Sequence, residues 1–381
     1  MPRVLHLLSR FDIGGTERQL VERLRRHPRG FEPFLACSEL YGKFLAPVLA
    51  LGIEPIVVPV RGLAHPSAAL AVARLAMAMR ERRIDLVHAN DFAMSVLGLA
   101  AARLAGARII VNRVDLGHLR PGFGVAHRRL EAFVARHADL VCANAEAVRL
   151  VCIAEEGCAS DQVVVVRNGL DLARFDELAA LPGDPLPVEP GDQLVAIIGN
   201  LWPVKGHRVL VEAAALLRER SPRLRFLCAG EGTEEEFLRA RIRELGLEDR
   251  VLLLGHRTDI PSLLARVDAF ALCSSAEGLS NAIMEAMAAR LPVVATRVGG
   301  NSELLEGGRG VLVPYGDPPA LAEALEQLLS NRARAREMGR KARAFIEAEL
   351  SLETLQSAHE ALYCRALGLS AAPKGTVRRA G

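Results

Sequence analysis

Short runs of apolar and β-branched residues alternate with amphipathic stretches of helical length through the first half of the chain. The runs are Val4–Leu8, Pro33–Cys37, Pro55–Pro59, Asp85–Ala89, Arg108–Val111, Asp139–Ala143 and Val163–Val166, each followed by a segment long enough for a helix. Apolar strands that alternate with helices predict a parallel sheet covered on both faces, because each crossover lays a helix on the sheet. A Pro- and Gly-rich stretch at 181–192 breaks the pattern and predicts a linker between domains. The alternation then resumes, with strands near 194–198, 224–229, 251–254, 268–272, 292–296 and 310–313. From Pro318 to about Leu367 the pattern predicts three successive helices, and the closing APKGTVRRAG reads as a frayed end. The fold class is α/β, with two Rossmann-like halves facing each other.

Composition narrows the picture. A length of 381 residues with 50% hydrophobic content suits two domains, each with its own core. The 48 basic and 45 acidic residues leave a net charge of +3, without the footprint of a nucleic-acid binder. Lysine is rare: Lys43, Lys205, Lys341 and Lys374 are the full set. The seven cysteines include no C-x-x-C pair and no zinc-spaced histidine, so they are expected as buried free thiols in a reducing compartment, with no metal site. The opening apolar run RVLHLLS is too short for a signal segment. The apolar stretches 67–79 and 93–111 are broken by Arg74, Arg103 and Arg108 before reaching the roughly 18 uninterrupted residues of a membrane span. The expected location is cytoplasmic. The arginines of Arg23–Arg29 and Arg120–Arg136 either hold the first domain peripherally against anionic lipid on the inner face of the membrane or are solvated helix faces.

In open parallel sheets ligands bind beyond the carboxyl ends of the strands, so the turns there are where chemistry is expected. After the first strand comes Ile13-Gly14-Gly15-Thr16-Glu17-Arg18-Gln19, in which Thr16 and Gln19 would form a capping box and Gly15 would let a ligand approach the helix start. A plain structural turn fits it equally. After the first strand of the second half comes Gly199-Asn200-Leu201-Trp202-Pro203-Val204-Lys205-Gly206-His207. A lysine at a helix start opposes the dipole, so Lys205 makes sense if an anion is bound there. The third turn, Ser274 to Ala288, carries Glu277 and Glu285. Eight helical residues would set these carboxylates about 12 Å apart, with the amides of Gly278, Leu279 and Ser280 free between them. Apolar Ile283, Met284, Met287 and Leu291 surround Glu285, so it is expected to accept hydrogen bonds. The fourth turn, Val298-Gly299-Gly300-Asn301-Ser302-Glu303, has backbone room for a phosphate.

Together these turns resemble the retaining glycosyltransferases of GT-B fold, specifically the large family four that includes bacterial exopolysaccharide, lipopolysaccharide and mannosyl transferases. The resemblance spans nearly the whole chain. It rests on Glu277-x7-Glu285 within S-x-x-E-G-L-S-N-A-I-M-E, on Lys205-Gly206, on Arg167-Asn168-Gly169-Leu170-Asp171, on Gly230-Glu231-Gly232 and on Leu291-Pro292-Val293-Val294-Ala295. It implies a donor-binding second domain, an acceptor-binding first domain and a final helix that crosses back. The expected boundaries are 1–182 for the acceptor domain, 183–192 for the linker, 193–350 for the donor domain and 351–381 for the returning helix and tail.

The resemblance also implies roles. Glu285 would hold ribose hydroxyls, Glu277 the donor sugar, and the amides of Gly278, Leu279 and Ser280 the sugar and diphosphate. Lys205 would neutralise the departing diphosphate, with no metal or other cofactor needed, and the Gly14-Gly15 turn would close over the reaction centre. The implied reaction moves a hexosyl group from a nucleoside diphosphate sugar to a glycan or polyprenyl-linked acceptor. Three positions depart from the family pattern, one of them Arg290, which stands where a glycine is common before Leu291-Pro292. Asn200 stands where an arginine is usual, and Val114 where a histidine is usual. Arg113 and Asp115 are the substitute candidates on the acceptor side, Asp115 serving equally as a cap. His88 at a strand end is either a cleft residue or a packed core histidine. A GT-B sugar-nucleotide epimerase and a noncatalytic relative are the competing readings.

Overall fold

The chain, as a computed structural model, is described over residues 1–12, 14–116 and 124–370. Positions 117–123, which hold His118 and Arg120, and the tail from 371 lie outside the described residues.

The first half contains β1 (Arg3–Leu8), α1 (Gly15–Arg25), β2 (Glu32–Cys37), α2 (Leu45–Leu49), β3 (Ile56–Val57), α3 (Ser67–Glu81), β4 (Leu86–Ala89), α4 (Phe92–Ala105), β5 (Arg108–Arg113), α5 (Val125–His137), β6 (Leu140–Ala143), α6 (Glu146–Ala154), β7 (Val163–Val165) and α7 (Leu172–Ala179). The second half contains β8 (Gln193–Ile198), α8 (His207–Leu217), β9 (Leu224–Ala229), α9 (Glu235–Glu244), β10 (Val251–Gly255), α10 (Ile260–Leu264), β11 (Ala269–Leu272), α11 (Asn281–Ala288), β12 (Val293–Thr296), α12 (Asn301–Leu305) and β13 (Val311–Val313). Three helices end the chain: α13 (Pro318–Ser330), α14 (Arg332–Glu349) and α15 (Leu352–Leu367).

Both sheets are parallel. Their orders are β3-β2-β1-β4-β5-β6-β7 and β10-β9-β8-β11-β12-β13, so each reverses direction between its first and fourth strands. The reversal leaves the loops after β1 and β4, and after β8 and β11, splayed to opposite faces with a crevice between them. Strands β4, β6, β11 and β12 are buried along their whole length, which is why they read as apolar runs broken only by His88 in β4 and Thr296 at the end of β12. Helix α4 shows how the chain marks its own boundaries. The Asp91 side chain accepts from the Met94 amide at the start, and Gly106 takes the left-handed conformation at the end (φ 78°).

The chain crosses between halves earlier than composition suggests. Helix α7 packs on α10, and its Asp176 receives two hydrogen bonds of 2.7 Å from Arg343 of α14. The stretch expected as a linker lies along the surface of the second half, with the Asp184 amide on Asp259 and the Leu181 carbonyl on Ser262. The crossing itself falls at Arg167–Asp171, beside the return crossing: Leu170 bridges Ser351, and its amide donates to the Leu350 carbonyl at 2.9 Å. Helix α15 then lies back on the first half. There Leu352, Leu355, Leu362 and Tyr363 form a core with Val4, Phe31, Leu86 and Ile110.

Candidate active cleft

A cleft of about 760 Å³ separates the two switch points. Its second-domain floor is built by the loops after β8 and β11. A single 3-10 turn, Pro203–Lys205, leads into Gly206, which has φ 68° and sits so close to Cys273 that a Cβ would meet its carbonyl at 2.0 Å. Only glycine satisfies both demands. The turn aims Lys205 at Glu277, and the ammonium donates to Glu277 Oε1 at 2.6 Å. The Ser274 hydroxyl donates to the same oxygen at 2.6 Å, so Oε1 is saturated and Oε2 is left without a partner among the described residues. Ser280 caps α11 by accepting from the Ile283 amide. The amides of Gly278, Leu279 and Ser280 have no protein partner among the described residues and stand at the positive end of that helix.

The first domain closes over this floor. A Cβ on Gly278 would meet the Val114 carbonyl at 2.0 Å, and one on Gly15 would meet the Asn281 side-chain Nδ2 at 2.8 Å. Arg18 of α1 donates to Glu285 Oε1 at 2.5 Å; the Glu285 side chain is 5% exposed, and its charge raises the arginine's pKa. Gln19 donates to Asn281 and to the Gly169 carbonyl, and Asn168 donates to Asn281 and to the Leu279 carbonyl. Beside them Glu17 lines the cleft, its carboxyl pushed up by burial.

The first-domain floor is of another kind. Arg23, Asn90, Asn112, Cys142 and His359 line it. Arg23 is 4% exposed, and it donates to the Asn90 side-chain oxygen Oδ1 and to His359 Nε2. Because His359 Nδ1 lies 3.0 Å from the Leu355 carbonyl it carries the proton, and Nε2 accepts from the guanidinium. The chain of bonds continues inward. Asn112 donates to Asn90 at 2.8 Å, His88 Nε2 donates to Asn112 at 2.7 Å, and the Tyr363 hydroxyl donates to His88 Nδ1 at 3.0 Å. Burial, reinforced by the Arg23 charge, holds His6, His88 and His359 well below the usual histidine range and lowers His27 to about 4.

The structure gathers Lys205, Glu277, Gly278, Leu279, Ser280, Glu285, Asn200, Gly15 and Asp115 on one cleft. It does not bring Arg113 there. That guanidinium is buried between Glu131 and Glu156, whose charges outweigh its burial and raise its pKa. His88 packs inside the first domain and does not reach the wall, which is the core-histidine alternative. Arg23 is no surface arginine and faces no lipid, because the helical period sets it on the buried stripe with Leu20 and Leu24. The capping box is absent: Gly14 precedes α1 without a side-chain cap, and Gln19 is used across the cleft. Helix α11 begins only at Asn281, so the 12 Å helical spacing expected for Glu277 and Glu285 does not apply. The Gly299-Gly300 turn braces the Glu277 loop, with the Gly300 amide donating to the Gly278 carbonyl at 2.8 Å, and lies outside the cleft wall. Sequence reasoning gave no site role to Arg18, Asn168 or Asn281 and read Gln19 only as a cap. Their signal is only that all four fall inside motifs already singled out.

Comparison with known proteins adds three observations. Residues 13–174 match the family model described as Glycosyltransferase Family 4, and residues 192–331 match that described as Glycosyl transferases group 1. The UDP-Gal:alpha-D-GlcNAc-diphosphoundecaprenol alpha-1,3-galactosyltransferase of Escherichia coli is 30% identical over 267 residues, covering 67% of this chain and 68% of that protein. The crystal structure of HepE from Anabaena in complex with UDP-glucose superposes with a TM-score of 0.81 at 25% identity, covering 95% of this chain and 100% of that one.

Proposed function

The chain belongs to glycosyltransferase family 4, the nucleotide-sugar-dependent retaining enzymes of GT-B fold, and from that premise we propose that it moves a hexosyl group from a nucleoside diphosphate sugar to a hydroxyl of a glycan or lipid-linked acceptor, without a metal. The reading places this step in polysaccharide or cell-envelope synthesis, on the cytoplasmic side of a membrane. No helix among the described residues is long and apolar enough to cross a membrane, so the contact proposed is peripheral.

The observation that carries the reading is the Lys205–Glu277 pair at the second switch point. Charge grows on the diphosphate as the glycosidic bond breaks, and a fixed ammonium beside it lowers the barrier more than it stabilises the bound donor. Glu277 holds that ammonium through Oε1 and keeps Oε2 for the hydroxyls of the donor sugar. The amides of Gly278, Leu279 and Ser280 meet the diphosphate and sugar, and Glu285 meets the ribose once it exchanges Arg18 for it. Asn200 lies on the same wall as a neutral donor. Retention on one face asks mainly for positioning of donor and acceptor, which the closed cleft supplies. The test is binding of UDP, GDP, ADP and their sugar conjugates in EDTA, comparing the native chain with Glu285→Ala. Selective binding that weakens at least tenfold in the variant is expected. Failure to bind any nucleotide, or a need for a divalent cation, would overturn the proposal.

A further inference from the structure

Arg23 poses a charge problem that its own half of the molecule does not solve. Taking a guanidinium out of water costs several kcal/mol unless something compensates it, yet no carboxylate among the described residues pairs with it or is close enough to bear on it; its charged-group neighbours are Tyr363 and Cys142. Burial keeps both of these protonated, pushing the Cys142 thiol up to about 12 and Tyr363 higher still. Two of its five N–H groups donate to neutral acceptors, and its Nε is buried without a partner. The rings around it, His6, His27, His88 and His359, are neutral and supply no negative charge.

The sign of the missing ligand follows. His88, Cys142 and His359 offer ligand atoms within 4.8 Å of one another, which by spacing alone would suit a metal ion. A cation there would sit against the Arg23 charge and compete for His359 Nε2, which the guanidinium already uses. An oxyanion meets the unused N–H groups of Arg23 instead, and the amide side chains of Asn90 and Asn112 and the His359 ring stand in the same wall of the cleft.

We propose that the first-domain floor is an oxyanion subsite of the acceptor, in which a phosphate or carboxylate group seats on Arg23 and fixes the acceptor below the donor sugar. This rests on the reading of the first domain as the acceptor side. The subsite selects acceptors that carry a negative group and discriminates against neutral glycans of the same shape.

The experiment uses the full chain with UDP saturating the donor site. Its thermal unfolding is followed while inorganic phosphate or malonate is titrated in at constant ionic strength set with chloride. A saturable rise of about 1–3 °C at ten times the dissociation constant is expected from one of the two. A response to phosphate alone indicates a phosphorylated acceptor, and one to malonate alone a carboxylate-bearing acceptor. Arg23→Gln is expected to abolish the oxyanion response and keep the UDP response. Asn90→Asp, which places a carboxylate on the guanidinium at the loss of the hydrogen bonds that Asn90 Nδ2 donates to the Leu7 and His88 carbonyls, is expected to abolish the oxyanion response as well. No saturable response in the native chain, or one that persists in both variants, would reduce Arg23 to a tie between α1 and α15 and overturn the proposal. If UDP itself gives no response, the donor reading fails first; if UDP responds and neither oxyanion does, only the subsite fails.

Discussion

The two switch points share one topology and solve opposite electrostatic problems. After β8 and β11 a lysine meets a carboxylate at 2.6 Å, and the charges cancel within the protein. After β1 and β4 an arginine is buried among neutral amides and imidazoles, and its charge is left standing. In the proposed reaction the cancelled pair stays together, with Lys205 held on Glu277 Oε1 facing the diphosphate and Oε2 offered to the sugar. An uncancelled charge waits for a ligand of one sign. Topology therefore sets where chemistry is placed in this chain, and the balance of charge at each place sets which ligand comes there.

The widest separation between the two floors is expected under acid. Four rings in the first half, His6, His27, His88 and His359, have folded pKa values below the ordinary 6.5, against His207 in the second half, lowered to about 4 by burial and then by Lys205. A depressed histidine leaves stability intact above pH 6.5. As pH falls below it the unfolded chain binds protons that the folded chain does not, and stability drops by about 1.4 kcal/mol per pH unit per ring until the folded value is reached. Four rings together set a loss on the order of 5 kcal/mol by pH 5.5. Denaturant unfolding at stepped pH measures it, and a curve flat from pH 7 to 5.5 would end the neutral-ring account. His6→Asn should lessen the slope more than any single substitution outside the cluster except at His207.

Removing the cation from the balanced half comes next. Lys205→Ala is expected to lower kcat by about 10²–10³ while donor binding weakens less than tenfold, because the ammonium acts mainly on charge that develops during reaction. Steady-state kinetics set beside direct UDP binding separates the two effects. Equal losses in both would mean that Lys205 merely holds the donor.

The smallest effect expected is at the contact between the halves. Arg18→Gln leaves the Glu285 carboxylate buried with a weaker partner and should cost about 1–2 kcal/mol of stability, while UDP binds several-fold tighter because the carboxylate no longer has to be released. Calorimetric titration of the variant decides the point. Weaker UDP binding would make Arg18 itself a donor contact.

The strands and the second-domain floor of the cleft were legible because their signals are local. The strands are built mainly on apolar runs between turn residues, and Lys205, Glu277 and Ser280 sit in loops behind such runs. What escaped depends on packing between distant segments. Arg18 and Glu285 are 267 positions apart, and Arg23 and His359 are 336 apart. Arg23 was hidden in a run of arginines whose members have different fates, since Arg25 pairs with the part-buried Glu22 one turn back on α1 while Arg23 turns fully inward. Arg113 looked exposed to the acceptor because it ends β5, but Glu131 of α5 and Glu156 in the turn after α6 draw it away. The crossing at Arg167–Asp171 was missed because it holds no proline, whereas the proline-rich 181–192 stretch only decorates the surface of the second half.

The bridge between Leu170 and Ser351 ties the outgoing and returning chains at one point. Two covalent connections set side by side act as a pair of door hinges on a common pin: they resist shear and separation but allow swing. Displacement of one half then grows with distance from the pin. A staple placed across Leu170 and Ser351 would leave that swing free, whereas the same staple at the far lip of the cleft would lock it.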